Sequence, residues 1–396
     1  MIEQLHRDFL QYLSSQKAHY RRYIWKRISH RDKLIGITGA RGVGKTTYIL
    51  QYLQSLDLPL HKKLYISADN IDVLESSLLE IARVFSSQGG AVLAIDEIHK
   101  YKHFERELKQ ITDMLDLHVI FSGSSALELE NAQADLSRRA VVYRMNGLSY
   151  REFLEIRLGM ELPTFALEEI LEEHVEIANA LRQTFKPLEH WKTYLRSGYY
   201  PFYFEEESTY SLKLNATINT VIETDIPAVY RIRYESIIKL KKLITLLCRS
   251  EPFKINIQEL SSRIGTDRDT LYQYLHYLDR GRILSLLRSR ARGDAIFSKP
   301  DKVYLDNPNL YHAYCHQAKI GTIRESFFVS QMKLDHDVSI PGKGDFMIDE
   351  KWVFEIGGKN KSFEQIKDLP DSLIAADEIE VGFGRKIPLW LFGFLY

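Results

Sequence analysis

Residues Gly39-Ala40-Arg41-Gly42-Val43-Gly44-Lys45-Thr46 spell G-x-x-x-x-G-K-T, and no other stretch restricts the fold so tightly. The apolar run Leu34-Ile35-Gly36-Ile37-Thr38 before it reads as a buried strand, and Thr47 to Leu53 after it reads as a helix. Strand, glycine-rich turn and helix in that order make a phosphate cradle. Glycines let backbone N–H groups turn inward, and the helix N-terminus adds a favourable dipole. The backbone from Gly39 to Thr47 is expected to wrap the phosphates. Lys45 would reach the outer ones, and the Thr46 hydroxyl would face Mg²⁺.

A second run, Ala91-Val92-Leu93-Ala94-Ile95, ends in Asp96-Glu97, with Asp96 51 residues after Lys45. A buried strand ending in acids complements the loop. Asp96 is expected to hold Mg²⁺, and Glu97 to polarise an attacking water. His118-Val119-Ile120-Phe121 reads as another strand running into Ser122-Gly123-Ser124-Ser125, whose hydroxyls either contact phosphate or water or simply turn the chain. With Lys63–Ser67 and Ala140–Met145 this predicts five strands in a mostly parallel sheet, with the site outside the strands' C-terminal ends. Asp69 would lie near that site or cap the helix that includes Leu74 and Leu78. The segment from His19 to Arg27 mixes aromatics with cations. It stacks on a base or, the favoured reading, buries its rings in an amphipathic helix.

A chain of 396 residues exceeds one ordinary core, so two to three domains are expected. Lys plus Arg and Asp plus Glu balance at 53 each, so any nucleic-acid surface must be local. Cys248 and Cys315 show no pairing or metal-ligand pattern, which suits free thiols in a reducing cytosol. No signal peptide or membrane span is legible, so a cytoplasmic location is expected. The C-terminal stretch Ile387 to Tyr396 reads as a buried strand.

The loop, the Ile95-Asp96-Glu97-Ile98-His99 box and the Phe121–Ser125 strand resemble the prokaryotic AAA-type (AAA+) P-loop ATPases. More narrowly, the chain is similar to a group joining such an ATPase to a C-terminal domain of unknown function. Leu136 to Ala140, Leu148 to Phe153, Gly198-Tyr199-Tyr200-Pro201 and Glu223-Thr224-Asp225-Ile226 are similar to later blocks of that group. The resemblance implies ATP as the nucleotide and Ser124 as a polar sensor. It also implies that Arg138 or Arg139 stabilises charge in the chain's own site or a neighbour's, a surface salt bridge being the alternative. Oligomerisation stays open. Residues 148–236 would form a helical lid and connector.

Residues 237–292 carry twelve Lys or Arg against five acids. Ile257 to Ile264 reads as a helix ending at Gly265, and Asp267 to Arg280 as a second with Leu271, Tyr274, Leu275 and Leu278 on one face. Arg282 to Leu287 follows like a wing strand. This looks like a winged helix-turn-helix presenting Arg268, Thr270, Gln273 and His276 to duplex DNA, with protein docking as the alternative. Further on, Glu325, Asp345 and Glu355 are spaced as in the restriction-nuclease fold, where such acids hold a divalent metal. The position two after Glu355 is Gly357, however, and the nearest lysine is Lys359, so an inactive nuclease-like domain is expected. Val381 to Phe383 and Leu389 to Phe392 would complete its sheet. The predicted fold class is therefore α/β: a P-loop ATPase domain over 1–147, a lid over 148–236, a winged helix over 237–292 and a nuclease-like domain over 293–396. The expected activity is Mg²⁺-dependent ATP hydrolysis coupled to DNA- or protein-binding modules. A nucleotide-gated DNA-binding regulator and a metal-dependent nuclease are the alternatives.

Overall fold

The computed structural model describes residues 2–16, 19–123, 136, 138–249, 256–289, 299–315 and 317–396. Residues 1–146 with 228–231 form one compact unit, and 147–227 with 232–396 form a second.

The first unit is built on five parallel strands: β1 (Leu34–Thr38), β2 (Lys63–Ser67), β3 (Val92–Asp96), β4 (His118–Gly123) and β5 (Ala140–Arg144), in the order β2-β3-β4-β1-β5. Every residue of β1 and β3 is buried, as expected of strands covered on both faces. Helices α1 (Ile2–Ser15), α2 (Lys45–Ser55), α3 (Leu78–Ser87) and α4 (Phe104–Met114) belong to the same unit. The apolar faces of α1, α3 and α4 join one core through Leu5, Ile81, Phe85, Leu108 and Ile111. Asp69 caps no helix: Asn70 caps the short helix Ile71–Leu74, Ser77 caps α3, and Asp69 accepts from Ser67 Oγ. Leu74 and Leu78 fall in different helices because the chain breaks between them.

The second unit begins with α5 (Tyr150–Leu158), α6 (Leu167–Arg182), α7 (Trp191–Ser197) and α8 (Tyr210–Thr220). A Ser149–Glu152 capping box starts α5, and Ser149 Oγ and Arg151 Nε both donate to the main-chain oxygen of Tyr396. Tyr150, Trp191, Phe327 and Phe394 interlock edge to face. These helices are thus built onto the C-terminal part of the chain.

Then come α9 (Tyr234–Arg249), α10 (Ile257–Ile264), α11 (Arg268–Arg280) and an antiparallel hairpin of β6 (Leu284–Leu287) and β7 (Lys302–Leu305). Gly265, at φ 75°, makes the turn between α10 and α11. After α12 (Pro308–Tyr314) and α13 (Ile320–Met332), a second sheet of β8 (Val338–Ser339), β9 (Phe346–Ile348), β10 (Trp352–Gly357), β11 (Ser372–Ala376) and β12 (Lys386–Pro388) closes the chain. β8, β9 and β10 are antiparallel neighbours, whereas β11 and β12 run parallel to β10.

Three expectations fail here. Of the stretch from Ile387 to Tyr396 only Ile387 and Pro388, at the end of β12, are strand; Leu389–Phe394 coils into a 3₁₀ helix. Pro388 has no N–H to give a ladder, and the coil buries Trp390, Phe392 and Phe394 together. Val381-Gly382-Phe383 adds no strand either; Phe383 makes an isolated bridge to Lys386. Nor are the cysteines free: Cys248, in the last turn of α9, and Cys315, just past α12, form a disulfide across 67 residues. Reduction, or Cys248→Ser, is expected to lower stability by roughly 2–4 kcal/mol through the reopened loop. Urea midpoints with and without dithiothreitol measure this, and coincident curves would refute it.

Candidate functional site

The loop after β1 wraps tightly. A side chain at Gly39 would put its first carbon 2.2 Å from the Met145 carbonyl oxygen, and Gly44, at φ 101°, begins α2 in a left-handed conformation. Arg22 braces the loop from outside, donating to Val43 O at 2.7 Å and Asn146 O at 2.9 Å. Here the segment from His19 to Arg27 does its visible work. Arg22, Tyr23 and Ile24 are buried, and the Tyr23 hydroxyl bonds Arg144 O and Asn146 N. Lys45 is buried, its ammonium donating to Gly39 O at 2.9 Å and Ala40 O at 3.0 Å inside the cradle.

Asp96, at the C-terminal end of β3, is the hub. It is 2% exposed and takes the Thr46 hydroxyl at 2.5 Å, the Tyr65 hydroxyl at 2.9 Å, the Ser122 hydroxyl and the Glu97 N–H at 3.0 Å. Burial first, then the Asp96 charge, pushes the Tyr65 phenol far up, so it stays a donor. Thr46 and Asp96 present hard oxygens to one point, a donor set that fits Mg²⁺. Glu97 follows at φ 52°, a left-handed conformation uncommon for a side-chain-bearing residue. Its Oε2 is buried without a hydrogen bond, 3.4 Å from His99 Nε2 and 3.8 Å from Arg41 Nη1. The acid is thus held bent at a strand tip between Arg41 and His99.

Other expected residues are less convergent. Ser124 lies outside the described residues. Arg138 is exposed, and Arg139 forms a two-point ion pair with Asp113, at 2.7 and 2.9 Å, on the flank of α4. The sequence assigns no role at the site to Arg22, Tyr65 or His99, and it directs the Ser122 hydroxyl to phosphate, to water or to a turn, whereas here it bonds Asp96.

On α11, Arg268 and Gln273 are exposed. Arg268 bonds Gln258 at 2.8 Å. The Thr270 N–H and hydroxyl both go to Asp267, the N-cap residue, so this hydroxyl serves the helix start. His276 is half-buried beside Tyr277.

Glu325 of α13, Asp345 just before β9 and Glu355 of β10 are all buried in one neighbourhood. Lys359 is not their lysine: only its carbonyl is engaged, by Lys386. The two-glycine step after Glu355 carries the chain off the strand, and Lys361 returns to Glu355 Oε1 at 2.5 Å. Burial, then the Asp345 charge, pushes Glu325 up to about 7, and burial also raises Glu355. Among the described residues, no three His, Cys, Asp or Glu side chains meet as a metal site.

The family described as "AAA domain" matches residues 31–154, which hold the loop and the acidic strand. That part of the chain is similar to AAA domains. A family described as a domain of unknown function (DUF8612) matches residues 188–319. Over 392 residues the chain is 25% identical to the uncharacterized protein MJ1637 of Methanocaldococcus jannaschii, covering 90% of this chain and 82% of that protein. The solved structure of AMPPCP-bound DnaA from Aquifex aeolicus is 13% identical, with 69% of this chain and 86% of that chain covered at a TM-score of 0.27, a likeness too loose to carry an argument. Among the described residues no helix is long and apolar enough to cross a membrane.

Proposed function

We propose that the chain is a Mg²⁺-dependent ATPase that couples hydrolysis to a DNA-binding module. The observation that carries this reading is the meeting of Thr46 and Asp96 beside a cradle already holding the Lys45 ammonium. The loop amides and Lys45 bind the phosphates, and Thr46 and Asp96 hold Mg²⁺. When bound, that ion neutralises charge on the phosphate oxygens. Tyr65 and Ser122 fix the Asp96 carboxylate. Glu97 takes the proton of the attacking water, and Arg41 and His99 fix its carboxylate. The test is phosphate release from ATP with and without Mg²⁺; a chain that binds ATP and releases no phosphate in Mg²⁺ would refute hydrolysis. Such a result would favour a nucleotide-gated regulator instead, a reading supported by the clamped state of Glu97.

The partner of the module is duplex DNA. The order of α9, α10, α11 and the β6–β7 hairpin supports a winged helix-turn-helix, and the local excess of cations over 237–292 supports a polyanion. With about four phosphates neutralised, affinity is expected to fall about a hundredfold between about 50 and 200 mM salt. Arg268→Glu is expected to weaken binding about tenfold and flatten that salt slope. Fluorescence anisotropy with a labelled duplex reads both. Absent or salt-insensitive binding would remove DNA and leave a protein as the docking partner.

A further inference from the structure

The cluster around Glu325, Asp345 and Glu355 contains a residue that nothing in the acid spacing announces. Lys302, on β7, reaches from the hairpin into the C-terminal sheet. Its ammonium sits 3.3 Å from Asp345 Oδ1, 3.4 Å from Asp345 O and 3.7 Å from Glu325 Oε2, and 5.0 Å from the centre of the Phe346 ring. Two residues on, and so on the same face of the strand, the Tyr304 hydroxyl donates to Glu325 Oε2. Asp345 Oδ2 is taken by the Ile356 N–H at 2.9 Å, and Glu355 Oε1 by Lys361. Glu355 Oε2 is buried without a hydrogen-bond partner. All of these side chains belong to the second unit, and Lys302 is only 5% exposed.

Three buried carboxylates repel one another unless a cation lies among them. In a metal-dependent enzyme a divalent ion does this, bonded to the oxygens at about 2.0–2.6 Å. Here the space between Asp345 and Glu325 is filled by an ammonium, and a second ammonium covers Glu355. A divalent ion at that point would overlap Lys302 Nζ and be repelled by it. The anchoring is doubled: Lys333, at the C-terminal cap of α13, donates to Ser285 Oγ at 2.7 Å and Leu286 O at 3.2 Å on the other hairpin strand.

We propose that Lys302 is a built-in replacement for a divalent cation, so that the three acids, instead of holding metal, fasten the β6–β7 hairpin to the C-terminal sheet. The hairpin that ends the basic module is thereby made one body with this sheet. The acids that resemble a nuclease centre are spent on that joint.

The test uses the full chain without nucleotide and Mn²⁺ as the probe. Bound Mn²⁺ is counted by electron paramagnetic resonance in wild type and in Glu355→Gln, which cancels any weak binding at Asp96. Equal counts are expected; a site present in wild type and lost in Glu355→Gln would overturn the proposal. Lys302→Met is expected to melt at lower temperature than wild type, and to recover with Mn²⁺ while wild type does not respond. Should Lys302→Met fail to fold, Lys302→Met with Glu325→Gln removes one charge of each sign and is read in the same way. If the folded lysine variants melt as wild type does and remain indifferent to Mn²⁺, the proposal fails. None of these readouts requires ATP turnover, so they stand apart from the outcome of the ATPase assay.

Discussion

Lys45→Ala is expected to reduce ATP affinity by about a hundredfold or more. The ammonium is buried in the cradle and aimed by two carbonyls, Gly39 O and Ala40 O. A charge-assisted hydrogen bond contributes about 1.5–3 kcal/mol, so two bonds to phosphate would be worth about 3–6 kcal/mol. Binding must first exchange the carbonyl bonds for phosphate, which pulls the net effect toward the low end. At about 1.4 kcal/mol per tenfold, that leaves about two decades of affinity. Alanine keeps a good helix former at the first residue of α2, so the melting temperature should move little. Equilibrium binding of a fluorescent ATP analogue, with a thermal melt as control, measures the effect. Affinity within about threefold of wild type would remove the loop from the proposed site.

The parts of this centre legible in the sequence are those encoded along the chain. The eight residues from Gly39 to Thr46 specify a strand, a turn and a helix by themselves, and β1 and β3 announce burial by having no polar face. What was not legible is encoded across strands. Register pairs Ile95 with Phe121, which places Ser122 beside Asp96, and it puts β2, hence Tyr65, on the other flank. Knowing this requires the order β2-β3-β4-β1-β5, and strand order is set by packing that no local pattern records. Ser124 drew attention as a strand-tip hydroxyl, yet two residues earlier Ser122 already bonds the acid. The C-terminal unit repeats the lesson. The acids were found by spacing along the chain, whereas Lys302 comes from a different element, and the disulfide joins residues 67 apart. Lys361 was missed for a local reason, because a two-glycine step returns the chain later than a continuous strand would. The 3₁₀ coil at the end was missed because continuous apolarity specifies burial but no period.

Glu97→Gln separates binding from chemistry. The substitution is isosteric, so the bent backbone at φ 52° and the Glu97 N–H to Asp96 bond at 3.0 Å should persist. Thr46, Asp96 and Lys45 are untouched, and ATP affinity should stay within about twofold of wild type. The amide can take no proton from water, and a positioned general base contributes about 10²–10⁴-fold, so turnover should fall at least about a hundredfold. The surroundings make the loss hard to bypass. His99 has a fully buried side chain 3.4 Å from Glu97 Oε2, and Arg41 is a permanent cation 3.8 Å away, so neither stands free to serve as the base. Both would instead lose a charged partner, and Arg41 would turn more readily toward phosphate. ATP binding could therefore tighten slightly while hydrolysis stops. Single-turnover phosphate release beside equilibrium ATP binding resolves the two effects. Undiminished release would mean that Glu97 is not the base, and that its strained conformation serves only to seat Arg41 and His99.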